Sequence, residues 1–197
     1  MVPDLSIDSM ISYFGYGSLV NPATHRTKII DYSKATLKGW RREWLARPNN
    51  SFGNVVLLSV KRCEKSEIDG LVVLDHAHNQ PALDEREANY DRKTVTVHEL
   101  AGLKEPYTNQ DETSIYVASH HPMLNNAHEF CILRSYLDAV MQGYLHHFGE
   151  EGVARFVQST DNFHFAICED RHNPRYPRFV ETSNSEQKLF DQLAPGS

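Results

Sequence analysis

The sequence predicts an α+β fold. β-rich runs fill the first 120 residues, one long amphipathic pattern follows at 130–148, and strands and helices do not alternate as a parallel βαβ array requires. The length of 197 residues suits one domain, 1–197, with 179–197 as a candidate C-terminal tail. It also suffices to bury a core without covalent staples.

Taken in order, "MISYFGY" (10–16) reads as a strand that stops at Gly17-Ser18. Asn21 is placed as a helix N-cap, with Pro22 at the first helical position. "ATLKGWRREWLA" (35–46) fits strand or helix, because Trp40 and Trp44 share a face under either period. "NVVLLSVKR" (54–62) and "DGLVVLD" (69–75) are β-rich and flank a charged turn, which predicts a hairpin. Pro81 opens a short helix over "PALDEREANY". "KTVTVHEL" (93–100) and "TSIYVAS" (113–119) follow as strands. Phe130, Leu133, Leu137, Met141, Tyr144 and Phe148 then recur at three and four, an apolar stripe that Gly149 ends. "DRHNPRYPR" (170–178) is interrupted by proline and must be extended or looped. Its arginines either close over an anionic ligand or pack along the body.

Composition narrows the function. Hydrophobic residues make up 40% and charged residues 23%, as in ordinary globular chains. The formal charge of −6, from 26 acidic and 20 basic residues, argues against a general nucleic-acid binder. No apolar run is long enough to span a membrane, and "MVPDLSIDSM" lacks the basic and apolar regions of a secretory signal. Cys63, Cys131 and Cys168 are odd in number and far apart, so they predict neither a zinc knuckle nor a disulfide framework. A reducing cytoplasm follows as the simplest location. The pairs His120-His121 and His146-His147 lack a third ligand at a defined spacing, so no metal site is expected. "KGWRREW" could stack on nucleic acid, but a core element is the better expectation in an acidic chain. Cys168 with His164 or His172 imitates a nucleophilic dyad, with no local support.

The short helix carries the sharpest signal. Leu83, Glu87 and Tyr90 fall at i, i+4 and i+7, on one face. If Leu83 and Tyr90 face the core, Glu87 goes inward with them. Glu85 lies about 200° around the helix from it and faces solvent. An inward carboxylate has a raised pKa unless it is paired, and a raised pKa suits an acid–base catalyst near neutrality. The alternative is a structural ion pair with Arg86 or Arg92.

"YFGYGSL" at 13–19, followed downstream by "LDEREANYDRKTVTV", resembles the γ-glutamylcyclotransferase superfamily, which includes the ChaC-like and AIG2-like proteins. The resemblance runs over about residues 12–150, and "DRHNPRYPR" is similar to bacterial members. It implies a small mixed β-barrel with flanking helices and a single γ-glutamylcyclotransferase-like domain. It further implies a γ-glutamyl pocket lined by Tyr16, Gly17, Ser18 and Leu19, Glu87 as the catalytic carboxylate, and Tyr90 and Tyr116 against the substrate. No cofactor is implied. The partner is a small γ-glutamyl molecule, with neither nucleic acid nor membrane. Two features depart from the glutathione-specific ChaC branch. Asn89 stands where that branch has a Gly-Gly before the tyrosine, and Val20-Asn21 replaces its aromatic after the turn.

The implied chemistry suits these residue types. A γ-glutamyl amide carries its own nucleophile, since its α-amine attacks the γ-carbonyl, closes a five-membered ring and expels the amine as 5-oxoproline forms. The protein must orient the substrate, move a proton, and place donors on the oxygens that hold negative charge. A non-catalytic anion-binding relative and a Cys-dependent hydrolase stand as alternatives.

Overall fold

The computed structural model of the chain describes residues 10–51, 53–109, 112–119 and 129–194. The opening segment and His120-His121 lie outside them.

The chain is α+β, and its described residues form nine strands in one mixed sheet and three helices. The sheet is built on one long pair. β2 (Asp31–Asn50) and β3 (Gly53–His76) run antiparallel along nearly their whole lengths, from Asn50↔Gly53 out to Asp31↔Leu74. This settles 35–46 as strand. The predicted hairpin between 54–62 and 69–75 is incorrect, because both runs belong to β3 and find their partners on β2. The charged residues between them continue the strand, since β2 offers a full ladder of backbone partners there and overrides the polar sequence. The register slips between Lys38 and Trp40, where Gly39 takes φ 78°. That bulge needs glycine.

β1 (Met10–Gly15) pairs with the distal half of β3 on one side and runs parallel to β6 (Glu112–Ala118) on the other. β4 (Tyr90–Thr96) lies antiparallel to β6, with Tyr90 opposite Ala118. The C-terminal ends of β1 and β6 and the start of β4 therefore meet at one edge. The strand expected over 93–100 ends at Thr96. A capping box between Thr96 and Glu99 turns the chain into a 3-10 helix before the short β5 (Leu100–Ala101).

α1 (Gln80–Arg86) is shorter than expected, because pairing of Tyr90 with β6 takes the backbone into the sheet. β7 (Cys131–Leu133) leads into α2 (Arg134–Gln158), which breaks at Gly149 with φ 68°. The helical stripe therefore starts four residues later than Phe130 and stops at the expected glycine. Leu137, Met141 and Tyr144 are fully buried against the sheet. β8 (Thr160–Asp161), β9 (Ala166–Cys168) and α3 (Asn184–Leu193) complete the chain. Trp40 and Trp44 are buried, with Trp44 set edge-on among Tyr136, Phe156 and Phe163. Neither ring offers a face for stacking on nucleic acid.

The cysteines overturn their sequence reading. Cys131 and Cys168 are bonded, joining neighbouring strands β7 and β9 across 37 residues of chain. Parallel pairing of Leu133 with Cys168 and of Cys131 with Ala166 brings the two thiols together, which spacing along the chain could not show. The argument from thiols to a reducing compartment loses its premise. No helix among the described residues is long and apolar enough to cross a membrane.

Candidate active site

After β1 the chain turns at Tyr16-Gly17 into a 3-10 turn over Ser18–Val20. Its first internal bonds run from Val20 N–H to the Gly17 carbonyl and from Asn21 N–H to the Ser18 carbonyl. The N–H groups of Ser18 and Leu19 precede them, as at any helix start. Asn21 caps the next turn through its side chain, with Pro22 following as expected. Several groups fix this loop. Tyr144 donates to the Tyr16 carbonyl at 2.9 Å and accepts from Arg42 at 2.7 Å. Arg42 is fully buried over the Tyr144 and Phe156 rings. His25 bonds the Leu19 carbonyl at 3.1 Å, and burial lowers its pKa to about 4, which keeps the ring neutral at pH 7. Tyr16 donates its hydroxyl to the Tyr116 carbonyl, tying the turn to β6.

Glu87 enters from the opposite side. It is the C-cap of α1 rather than an interior residue, yet its side chain still points inward and is 14% exposed. Its Oε1 lies 3.0 Å from Arg86 Nε. Arg86 also reaches Ser18 Oγ at 3.0 Å and the Thr24 carbonyl at 3.1 Å. One guanidinium thus joins the glycine turn to the carboxylate. Burial raises the Glu87 carboxyl above the usual carboxylate range, against the opposing pull of Arg86 and Arg178. Of the two partners named by the ion-pair alternative, Arg86 is the one in place. Arg92 lies 3.4 Å from Asp84 instead.

Two cavities share Glu87 in their linings. The inner recess, about 30 Å³, is walled by Tyr16, Gly17, Ser18 and Leu19 on one side and by Glu87, Tyr90 and Tyr116 on the other. The structure therefore gathers every residue singled out from the sequence around one small space. Their attitudes differ from simple expectation. Tyr90 belongs to β4, not to the helix, and donates to the Leu58 carbonyl at 2.8 Å. Tyr116 presents its ring to the recess while its hydroxyl donates to Asp84 at 2.7 Å. Burial raises the pKa of Tyr16, Tyr90 and Tyr116, so these hydroxyls are neutral at pH 7. A Cβ on Gly17 would stand 3.2 Å from the Tyr136 hydroxyl, whereas one on Gly15 would strike the Leu19 backbone at 2.8 Å. Gly15 serves the turn itself, and Gly17 faces the site.

The outer cavity, about 510 Å³, shares Ser18, Glu87, Tyr90 and Tyr136 with the recess and adds Arg47, Arg86, Tyr176 and Arg178. Sequence reading missed Arg47, Tyr136, Tyr176 and Arg178 as site residues. Arg47 lies near the end of β2, over the Tyr90 ring at 4.8 Å. Tyr176 and Arg178 come from "DRHNPRYPR", and the arginines of that segment were the available signal. Glu85 is exposed, as expected, but at the rim of this cavity. Among the described residues no cluster of His, Cys, Asp and Glu could hold a metal. Cys168 is committed to its disulfide, which removes the Cys–His dyad.

No family model matches the chain, and no curated protein does. Solved structures do match. A γ-glutamyl cyclotransferase aligns over 93% of this chain and 99% of its own, with a TM-score of 0.60 and 12% identity. The fold is that of the γ-glutamyl cyclotransferases. A human protein described as uncharacterized, loc79017, aligns over 92% and 98% at a TM-score of 0.58 and 14% identity. YkqA from Bacillus subtilis reaches 0.58 and 14% over 76% of this chain and 54% of its own. At these identities the likeness to γ-glutamyl cyclotransferases is one of fold.

Proposed function

We propose that the protein is a γ-glutamylcyclotransferase, releasing 5-oxoproline and an amine from a γ-glutamyl amide. The observation that carries this reading is the placement of a buried carboxylate, Glu87, opposite a glycine turn across one recess. The recess has room for roughly a water or two, so a glutamyl group extends from it past the lining residues it shares with the larger cavity. Its α-carboxylate lies at the turn, where the Ser18 and Leu19 N–H groups donate, and its amide lies beside Glu87.

The chemistry then needs only this chain and the substrate. Glu87, as the carboxylate, takes a proton from the α-ammonium. The freed amine attacks the γ-carbonyl, Glu87 delivers its proton to the departing nitrogen as the C–N bond breaks, and the ring nitrogen loses its surplus proton through the same carboxylate to the released amine, which leaves as an ammonium. The tyrosine walls hold the substrate folded, an orientation worth several kcal/mol. Burial holds the Glu87 carboxyl above its usual range and so keeps it basic, while Arg86 and Arg178 pull the other way.

A screen of γ-glutamyl amino acids, peptides and amines tests the reading, with 5-oxoproline and the free amine measured together. Equal amounts of both are expected from at least one compound. Free glutamate in place of 5-oxoproline would point to hydrolysis instead. A binder without turnover would retain affinity for these compounds and release nothing.

A further inference from the structure

Arg42 is a costly side chain to bury. It leaves β2 for the interior, is 1% exposed, and lies over the Tyr144 and Phe156 rings at 5.1 and 5.2 Å. Among the described residues its hydrogen-bond partners are all neutral: Thr160 Oγ1, Ser159 Oγ, the Tyr144 hydroxyl and the Asp69 main-chain carbonyl. Asp69 turns its carboxylate to Arg155, at 2.9 Å. A buried guanidinium that no carboxylate pairs with costs free energy that an apolar side chain in the same space would not. Filling the space between β2 and α2 therefore does not account for it.

Its hydrogen bonds lead to the glycine turn. Arg42 Nη1 donates to the Tyr144 hydroxyl at 2.7 Å, and that hydroxyl lies 2.9 Å from the Tyr16 carbonyl and 2.8 Å from the Asp69 carbonyl. A hydroxyl has one proton to give. The Asp69 carbonyl already accepts from Arg42 at 2.9 Å, so both carbonyls are satisfied when the Tyr144 proton goes to Tyr16. The Tyr16–Gly17 peptide is planar and trans, so its N–H points away from that bond. Gly17 lines the inner recess. A donor on the carbonyl also polarises the peptide and strengthens the N–H at its other end. The next two peptides are held within the loop: the Gly17 carbonyl accepts from Val20 N–H at 3.0 Å, and the Ser18 carbonyl from Asn21 N–H at 3.1 Å and Thr24 Oγ1 at 2.7 Å. The Tyr16 carbonyl is the one held from α2, with a cation behind its donor.

We infer that Arg42 and Tyr144 are positioning residues of the turn: Arg42, acting through the Tyr144 hydroxyl, holds the Tyr16–Gly17 peptide so that Gly17 N–H joins those of Ser18 and Leu19 as a donor to the ligand's carboxylate. The inference rests on the proposed function for the identity of that ligand. Neither Arg42 nor Tyr144 lines the recess or the outer cavity, so neither touches the substrate. Their effect passes through one hydrogen bond and one peptide unit. The charge of Arg42 adds to it, because a cation held in the core is less screened than one at the surface.

The test removes the link and keeps the packing. Tyr144→Phe retains the ring and its stacking on Phe156 at 4.9 Å, and deletes the bond to the turn. Affinity for γ-glutamyl-alanine, measured by calorimetry in the Glu87→Gln background so that nothing turns over, should fall about tenfold, the scale of one hydrogen bond backed by a charge. With Glu87 present, kcat/KM for 5-oxoproline release should fall by the same factor, through KM rather than kcat. Arg42→Lys, which keeps the charge and loses the fork, should retain part of the affinity that Arg42→Met loses. Ser159→Ala is the control. It takes a different partner from Arg42, the one on Nη2, and should lower the melting temperature while leaving affinity and KM as they were. Weaker binding in Tyr144→Phe but not in Ser159→Ala supports the positioning role, even if no 5-oxoproline forms from the wild-type protein, and in that case it is the cyclotransferase reading that falls. Production of 5-oxoproline with a KM that Tyr144→Phe leaves unchanged, or that Ser159→Ala raises equally, overturns the positioning role and leaves the reaction standing. If γ-glutamyl-alanine binds to none of these proteins, the inference falls with the reading it rests on.

Discussion

Glu87 is placed so that its environment prefers it uncharged while its partner Arg86 prefers it charged, and burial prevails. Replacing it by Gln keeps the shape and removes the proton shuttle. Turnover should fall at least about a hundredfold, the lower end for general acid–base catalysis. Stability should not fall at pH 7, because the neutral side chain suits the site. The raised folded pKa means that the native state holds its proton more tightly than the unfolded chain does. Stability therefore drops as pH rises from the ordinary Glu value through the raised one. Melting curves across that window should show this slope in the wild type and lack it in E87Q. The acid limb of kcat/KM should lie above the usual carboxylate range; a limb at the ordinary Glu pKa would place the base elsewhere. The two glycines of the turn separate on the same scale. Gly17→Ala moves the Tyr136 hydroxyl and should raise KM with the fold intact. Gly15→Ala collides with backbone and should cost about 3 kcal/mol or more, or prevent folding. Unchanged kinetics and affinity in G17A would show that the turn takes no part in binding.

The elements explain why some of this was readable in the chain and some was not. The glycine turn and Glu87 were legible because each is local. Asn21-Pro22 marks the turn's exit, and the spacing of Leu83 and Glu87 survives even though α1 ends at Arg86. The β2–β3 pair was not legible, because residues 54–62 and 69–75 are matched by strand residues up to 43 positions away, and a charged stretch inside a strand imitates a turn. The disulfide was hidden for the same reason, since it follows from β7 lying beside β9. It makes its own prediction. Thiol titration of the unreduced, denatured chain should find one reactive cysteine, Cys63, out of three. Three reactive thiols would show that the bond is not formed. Where it is formed, reduction should cost about 3–4 kcal/mol by the chain-entropy estimate for a 37-residue separation. The segment 170–178 that follows β9 would lose one of its anchors.

At the scale of the whole molecule, the topology concentrates chemistry at one edge. Parallel β1 and β6 end together, antiparallel β4 begins there, and Tyr176, Pro177 and Arg178 line the same cavity. Residues separated by 160 positions, Ser18 and Arg178, line one cavity. That arrangement needs no enzyme nucleophile if the substrate supplies one. The most direct measurement therefore blocks the substrate's α-amine. A γ-glutamyl amide that the protein turns over is N-acetylated, with the scissile bond left intact, and both compounds are incubated with the wild-type protein. Cyclisation by the substrate's own amine predicts 5-oxoproline and free amine from the parent compound, and neither a cyclic product nor released amine from the acetylated one. Release of the amine from the acetylated compound, with glutamyl product left uncyclised, would contradict it and require a nucleophile from the protein or from water.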